Sequence, residues 1–211
     1  MAADPELIVL FAHGWALTHG VAPPEPRHGG LYVEVGEPDQ KARYFFPAFD
    51  PNIIAELART IREPWIYLKI CDSPDKVRAA LPQGWIIREP ETWIMTCAIV
   101  PAIARIPQAY TLSIEETGTA VLQATIRHGN EAVAGGRIGL LGETVLFDHI
   151  VTDEAHRRKG LGRSVMQALS NAALDRGAYR GLLSATEMGR ALYQTIGWAV
   201  HAPYTSAVIP G

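Results

Sequence analysis

Between Thr152 and Leu169 the chain reads TDEAHRRKGLGRSVMQAL, an order of residue types suited to holding an anion. The apolar run Val145 to Val151 ends there and a basic loop with two glycines follows. Apolar residues then recur at Leu161, Val165, Leu169 and Ala172, the spacing of an amphipathic helix that Gly177 ends. The first turn of a helix leaves backbone N–H groups, here from Leu161 onward, without partners, and the helix dipole adds partial positive charge to them. Arg157, Arg158, Lys159 and Arg163 add full charges around Gly160 and Gly162, whose missing side chains let a phosphate reach the backbone. The ligand this predicts carries a pyrophosphate. His156, beside the loop, is expected to meet phosphate or solvent.

Two common glycine loops do not fit. A P-loop needs G-x-x-x-x-G-K-[ST], and the dinucleotide fingerprint needs a third glycine, whereas Gly162 is followed by none before Gly177. The spacing Arg157-x-x-Gly160-x-Gly162 after an apolar strand resembles instead the R/Q-x-x-G-x-G/A loop of the GNAT superfamily of N-acetyltransferases. A second motif stands at the family's distance: the run Leu182 to Ala185, then ALYQTIGW from Ala191 to Trp198. Where the family commonly has Asn seven residues before the tyrosine and a small residue three after it, this chain has Thr186 and Gly189.

The resemblance implies acetyl-coenzyme A as acyl donor, held on Arg157 to Arg163 with Thr186 and Tyr193 nearby, and no metal. It also implies a strand that splays from its neighbour, so that free backbone groups of Ile150, Val151 and Thr152 pair with the pantetheine arm. Tyr193 matches a tyrosine often placed near the coenzyme sulfur, where a phenol protonates the departing thiolate. Acyl transfer also needs an unprotonated amine. Asp148, on an ideal strand sharing a face with Ile150 and Thr152, is one candidate base. His149, on the opposite face of such a strand, has an ordinary pKa better suited to the task.

The elements around these residues predict a mixed α/β fold of the α+β kind: a GNAT-type mixed sheet with flanking helices over residues 105–211, preceded by an α+β lobe over 1–104. Asp50-Pro51 is an N-cap followed by proline at the first helical position, and Ile53, Ile54, Leu57 and Ile61 carry the helical spacing to Pro64. Strands are expected over Gly30–Val35, Ala42–Pro47, Trp65–Cys71, Trp85–Arg88 and Thr92–Val100, with a short helix from Ser73-Pro74 through Leu81. Four more follow at Tyr110–Glu116, Val121–Arg127, Ala132–Leu140 and Val145–Thr152. Residues 18–30, rich in proline and glycine, are expected to form a loop. The helix bearing Tyr193 should present Met188, Leu192 and Ile196, with Tyr193 one position off that face, and two strand segments, 199–201 and 206–209, should end the chain. Residues 42–98 and 143–209 thus share one order of elements, and LPQGW at 81–85 echoes IGW at 196–198. The N-terminal half is either a degenerate GNAT-like repeat, with Phe49-Asp50-Pro51-Asn52 standing where the basic loop would be, or an unrelated α+β lobe; in either case it is expected to contribute to the acceptor site.

Composition narrows the function classes. The chain has 211 residues, 48% hydrophobic and 19% charged, with a net charge of -3. A nucleic-acid binder should carry a basic excess, and the acidic excess in residues 1–100 suits a cationic amine better. No apolar run is long enough to span a membrane and no signal-like N-terminus is present, so a cytoplasmic location is expected. Cys71 and Cys97 lack metal or disulfide spacing and read as buried thiols. His13, Trp15 and His19 either line an acceptor pocket or anchor the core. The expected activity is acetylation of a primary amine of a small molecule. A protein lysine or N-terminal acetyltransferase and a non-catalytic acyl-coenzyme A sensor stay open, as does a homodimer.

Overall fold

The computed structural model describes residues 3–118 and 120–211. They fall into two compact units: one holds the chain up to Met95 with Ser184–Ala191 and Ala199–Gly211, the other Thr96–Leu183 with Leu192–Trp198.

The first unit begins with helix α1 (Pro5–His19), which the sequence reading did not anticipate. Its buried residues Ile8, Phe11, Ala12, Gly14, Trp15, Ala16 and Thr18 run most of the way round the helix, so no clear 3.6-residue alternation marks it. The Asp4 side chain accepts the Glu6 amide at its start, and Gly20 closes it in the left-handed region. Strands β1 (Glu25–Arg27), β2 (Gly30–Glu37) and β3 (Gln40–Phe46) follow as an antiparallel ribbon. The expected loop over 18–30 therefore contains a strand. Proline is tolerated there because β1 lies at the sheet edge, where a missing N–H costs no ladder bond. Helix α2 (Pro51–Thr60) starts as predicted, with Asp50 Oδ1 accepting the Asn52 and Ile53 amides. Strand β4 (Ile66–Ile70) returns parallel to β3, and α3 (Pro74–Ala80), β5 (Ile86–Ile87) and β6 (Thr92–Ala98) follow.

The second unit is built on an antiparallel meander of β7 (Tyr110–Glu116), β8 (Val121–His128), β9 (Glu131–Leu141) and β10 (Thr144–Thr152). Helix α4 (Leu161–Leu174) crosses over and packs on β8, β9 and β10. Strand β11 (Arg180–Thr186) begins parallel to β10, and helix α5 (Glu187–Gln194) follows. The chain ends in one continuous strand, β12 (Ala199–Val208), where two segments were expected. It pairs antiparallel with β4 and β5 in the first unit.

Each unit thus leads an antiparallel ribbon into a parallel strand-helix-strand. In the first, Tyr44, Phe46, Leu68, Ile70 and Ala207 on one sheet face pack on Ile54, Leu57 and Ala58 of α2 and Val77 of α3. The opposite face meets α1: Phe11 and Trp15 tilt against Phe45, and Phe11 meets Tyr204 edge-on at 5.4 Å. No helix among the described residues is long and apolar enough to cross a membrane.

Candidate active site

Strand β10 carries most of the chemistry and departs from ideal alternation in the middle. Against β9, Asp148 pairs with Arg137 and Val151 with Gly135, so three steps on β10 answer two on β9. This is a β-bulge, with His149 in the left-handed region at φ 51°. The extra residue reverses the facing of everything after it. Ile150 lies on the α4 face, filling the space beside Gly136 and Val165, and Thr152 Oγ1 sits over Gly162 on the same face. Asp148 shares the other face with Arg137, its cross-strand partner. Its expected common face with Ile150 and Thr152 is corrected accordingly. The expected separation of Asp148 from His149 is corrected too: the His149 amide donates to Asp148 Oδ1 at 2.9 Å, and His149 Nε2 stands 3.7 Å from Oδ2.

The neighbourhood of His149 sets its tautomer. Arg137 donates to His149 Nδ1 at 2.9 Å, and since a guanidinium only donates, Nδ1 is the acceptor. A neutral His149 then carries its proton on Nε2, toward Asp148.

Strand β10 pairs with β11 over Thr144–Leu146 and Arg180–Leu182, while Val151 and Thr152 pair with β9. The parallel ladder therefore stops short of Ile150–Thr152. Among the described residues the β10–β11 pairing does not reach their backbone groups on the β11 side, the pattern of a splayed strand.

Beyond β10 a 3-10 turn, Glu154–His156, leads to the basic loop. Arg158 takes φ 64° and Gly160 φ 80°, and the successive reversals turn the chain into α4 with Gly160 as N-cap. No side chain caps that end, so the amides of its first turn keep their donors for another acceptor. A Cβ built on Gly160 meets nothing within 4 Å, which fits a cradle left open at the backbone. The basic side chains are exposed and rest on neutral oxygens: Arg157 Nε donates to the Thr152 carbonyl at 3.3 Å, Lys159 Nζ to the Ala155 carbonyl at 3.2 Å, and Arg163 to Thr195 Oγ1 at 2.9 Å. Their charge stays available to an anion. His156 accepts or donates at Nδ1 to the Tyr110 hydroxyl, 3.0 Å away, and Lys159 lies over the Tyr110 ring.

On α5 the buried residue is Tyr193, 7% exposed, while Met188 is 72% exposed. Of the expected Met188, Leu192 and Ile196 face, Met188 is exposed while Leu192 and Ile196 are half-buried, with Leu192 beside Gly162. Gly197, at φ 91°, turns the chain so that the Trp198 amide donates to the Tyr193 carbonyl at 3.1 Å. Trp198 then seats edge-on against Phe147 at 5.3 Å and over Gly181, where a Cβ would strike its ring at 2.8 Å. Its ring tilts against Tyr193 at 6.1 Å. Burial first, and the Asp148 carboxylate second, push the Tyr193 hydroxyl up to about 12. Thr186 Oγ1 accepts the Gly189 amide at the start of α5. Burial likewise pushes the Cys71 and Cys97 thiols up to about 12, which keeps them protonated.

Residues 116–200 match the family model described as an acetyltransferase (GNAT) domain. No curated protein matches the sequence. Among solved structures, a GCN5-related N-acetyltransferase from Kribbella flavida is 16% identical, with 97% of this chain and 96% of that one covered at a TM-score of 0.69. A tandem GNAT protein from the clavulanic acid biosynthesis pathway is 13% identical over 79% and 74% of the two chains, TM-score 0.58. A GCN5-related N-acetyltransferase from Sphaerobacter thermophilus is 14% identical over 87% and 78%, TM-score 0.57. Residues 116–200 thus resemble a GNAT acetyltransferase domain, and the chain has the fold of the GCN5-related N-acetyltransferases.

Proposed function

We propose that this protein is an N-acetyltransferase that moves an acetyl group from acetyl-coenzyme A to a primary amine of a small molecule by direct attack. The reading is carried by the start of α4: an uncapped helix N-terminus, opened by Gly160 at positive φ and flanked by four cations, three of which rest on neutral oxygens. Backbone amides with nearby positive charge are the general solution for a pyrophosphate. When bound, acetyl-coenzyme A supplies an activated acetyl thioester.

The chain's own groups divide the remaining work. Arg157, Arg158, Lys159 and Arg163 hold the phosphates, and the free edge of Ile150 to Thr152 orients the arm and offers N–H donors to a carbonyl oxygen. Tyr193 keeps its proton at neutral pH, because its hydroxyl is pushed up to about 12, so it serves as an acid and not as a base. Asp148 is the better base of the pair on β10, since the His149 lone pair at Nδ1 is already engaged by Arg137.

The test is a melting curve with saturating acetyl-coenzyme A, followed by release of free coenzyme A thiol with a panel of small primary amines and a lysine peptide. Stabilisation with turnover of the small amines is expected. Turnover of the peptide alone would make it a protein acetyltransferase, stabilisation without any turnover a sensor, and an unchanged melting temperature would overturn the coenzyme assignment.

A further inference from the structure

Strand register lays four polar residues in a row across the second unit's sheet. Glu115 of β7 pairs with Gln123 of β8, Gln123 with Arg137 of β9, and Arg137 with Asp148 of β10. Gly136, the neighbour of Arg137, faces Val165 of α4, so Arg137 and its row lie on the face away from that helix. Glu115 and Gln123 are exposed there and Arg137 is half-buried. The row is a polar surface that ends at the candidate base.

Arg137 is the cation of this row, and most of its hydrogen bonding is unmet. One Nη donates to the neutral acceptor His149 Nδ1 at 2.9 Å, the buried Nε has no partner, and the guanidinium forms no ion pair among the described residues. An amine so placed can shed its proton. Lys69 in the first unit does so: burial first, then Arg43 and Arg88, hold its pKa well below the usual lysine range. A guanidinium has no such escape, because it stays protonated in proteins. The charge of Arg137 therefore persists, and its second Nη is left for an anion lying on the row.

One ring sets the distance from that cation to the base. Arg137 donates to Nδ1 of His149, and Asp148 Oδ2 stands 3.7 Å from Nε2 of the same imidazole. After a hydrogen bond of about 2.8 Å at each end, a guanidinium and a carboxylate on the two nitrogens of one ring leave room for only a few covalent bonds between them. The His149 side chain is 48% exposed, so a small ligand can lie along it.

We propose that the acceptor is an amino acid, with its amine presented to Asp148 and its carboxylate held by Arg137. The inference rests on the acetyltransferase reading above and narrows its acceptor. The two charges of the acceptor meet opposite charges in the site, at a spacing that a neutral or singly charged amine would not use. The transfer is unchanged: the amine nitrogen bonds the acetyl carbon, the carbon–sulfur bond breaks, Asp148 takes the amine's proton and Tyr193 protonates the thiolate. Arg137 acts as a specificity residue.

The experiment measures release of free coenzyme A thiol with glycine, leucine and β-alanine, each against its own amide, on the full chain and on Arg137→Met and Arg137→Lys. The amide's amine loses its proton more readily, so intrinsic reactivity favours the amide and a preference for the acid reports recognition. In the unmodified chain kcat/KM should favour at least one acid over its amide by about tenfold or more, chiefly through KM. Arg137→Met should bring that ratio to one or below, and Arg137→Lys should keep part of it. Because Arg137 also holds His149, absolute rates change in the variants, and the ratio of two acceptors on one protein cancels that effect. Melting with each acid and amide in the presence of coenzyme A reads binding without turnover. Stabilisation by the acid alone, lost in Arg137→Met, would support the site even if no amine is acetylated and the acetyltransferase reading falls. If Arg137→Met does not fold, the acid-to-amide ratio in the unmodified chain and in Arg137→Lys decides. Amides used as well as the acids, a preference unchanged in the variants, or neither turnover nor stabilisation with any acid would each overturn the inference.

Discussion

The β-bulge on β10 brings Asp148 Oδ2 within 3.7 Å of His149 Nε2, although the two are sequence neighbours that a regular strand would point to opposite faces. The contact makes the pair one proton-handling unit, with Arg137 holding the far ring nitrogen. Asp148→Asn should therefore flatten the acidic limb of the kcat/KM pH profile and lower its plateau, because the amide has the same shape and accepts no proton. His149→Gln should leave the limb in place. A limb that moves only in His149→Gln, with an apparent pKa near ~6.5, would reverse the assignment.

Tyr193→Phe removes one hydroxyl from a buried ring. Acetyl-coenzyme A affinity and the melting temperature should hold at neutral pH, while kcat falls on the order of ten- to a thousandfold. With the folded hydroxyl at about 12, and the unfolded one near ~10, the native chain binds the extra proton between them. The stabilisation this contributes is complete below pH ~10 and is lost as pH rises through 12. Melting of the two proteins should therefore diverge at rising alkaline pH, the unmodified chain falling below Tyr193→Phe.

The paired change Arg157→Ala with Lys159→Ala should weaken stabilisation by acetyl-coenzyme A and leave the ligand-free melting temperature nearly unchanged. Both side chains are exposed and donate to backbone carbonyls, with Lys159 also 6.0 Å from the Tyr110 ring centre. Gly160→Asp should weaken it more, at some cost to the free protein, because a carboxylate would stand at the open cradle and a side chain is strained at φ 80°. Saturating ligand at about a hundred times its dissociation constant adds about 2.7 kcal/mol in the unmodified chain, and titrated melting curves read the loss.

Lys69→Met should raise stability, and more at neutral than at alkaline pH. The folded amine is held well below its ordinary range, so between the folded and unfolded values the unfolded chain binds the proton. Stability of the unmodified protein must then rise with pH toward ~10.4, closing the gap to the variant. A gap that is constant with pH would show the ammonium to be solvated.

Trp198→Ala should cost about 3–5 kcal/mol, the range for emptying a buried aromatic site. It should also lower kcat beyond what the stability loss explains, because Trp198 packs against both Phe147 and Tyr193. Denaturant melts and single-turnover rates below the unfolding range separate the two effects.

The legible parts of this protein were those in which local chemistry dictates local structure. Asp50-Pro51 had to start α2, the β7 to β10 meander followed from period-two runs broken by glycine turns, and the basic glycine loop before α4 announced an anion site from residue types alone. Helix α1 and β1 were hidden, the first because it is apolar nearly all round and the second because only its edge position tolerates Pro26. The facing of Asp148, His149 and Ile150 was hidden for a different reason. A bulge is a mismatch of three residues against two, and it exists only once β9 is in place as partner. The same holds for Lys69 and Tyr204, 135 positions apart and unremarkable until β4 and β12 pair. The sequence by itself determined the elements and the loop chemistry, because those depend on neighbours along the chain. Which side chains meet, and so which protons and charges can act together, was decided by strand register, a property of the folded sheet.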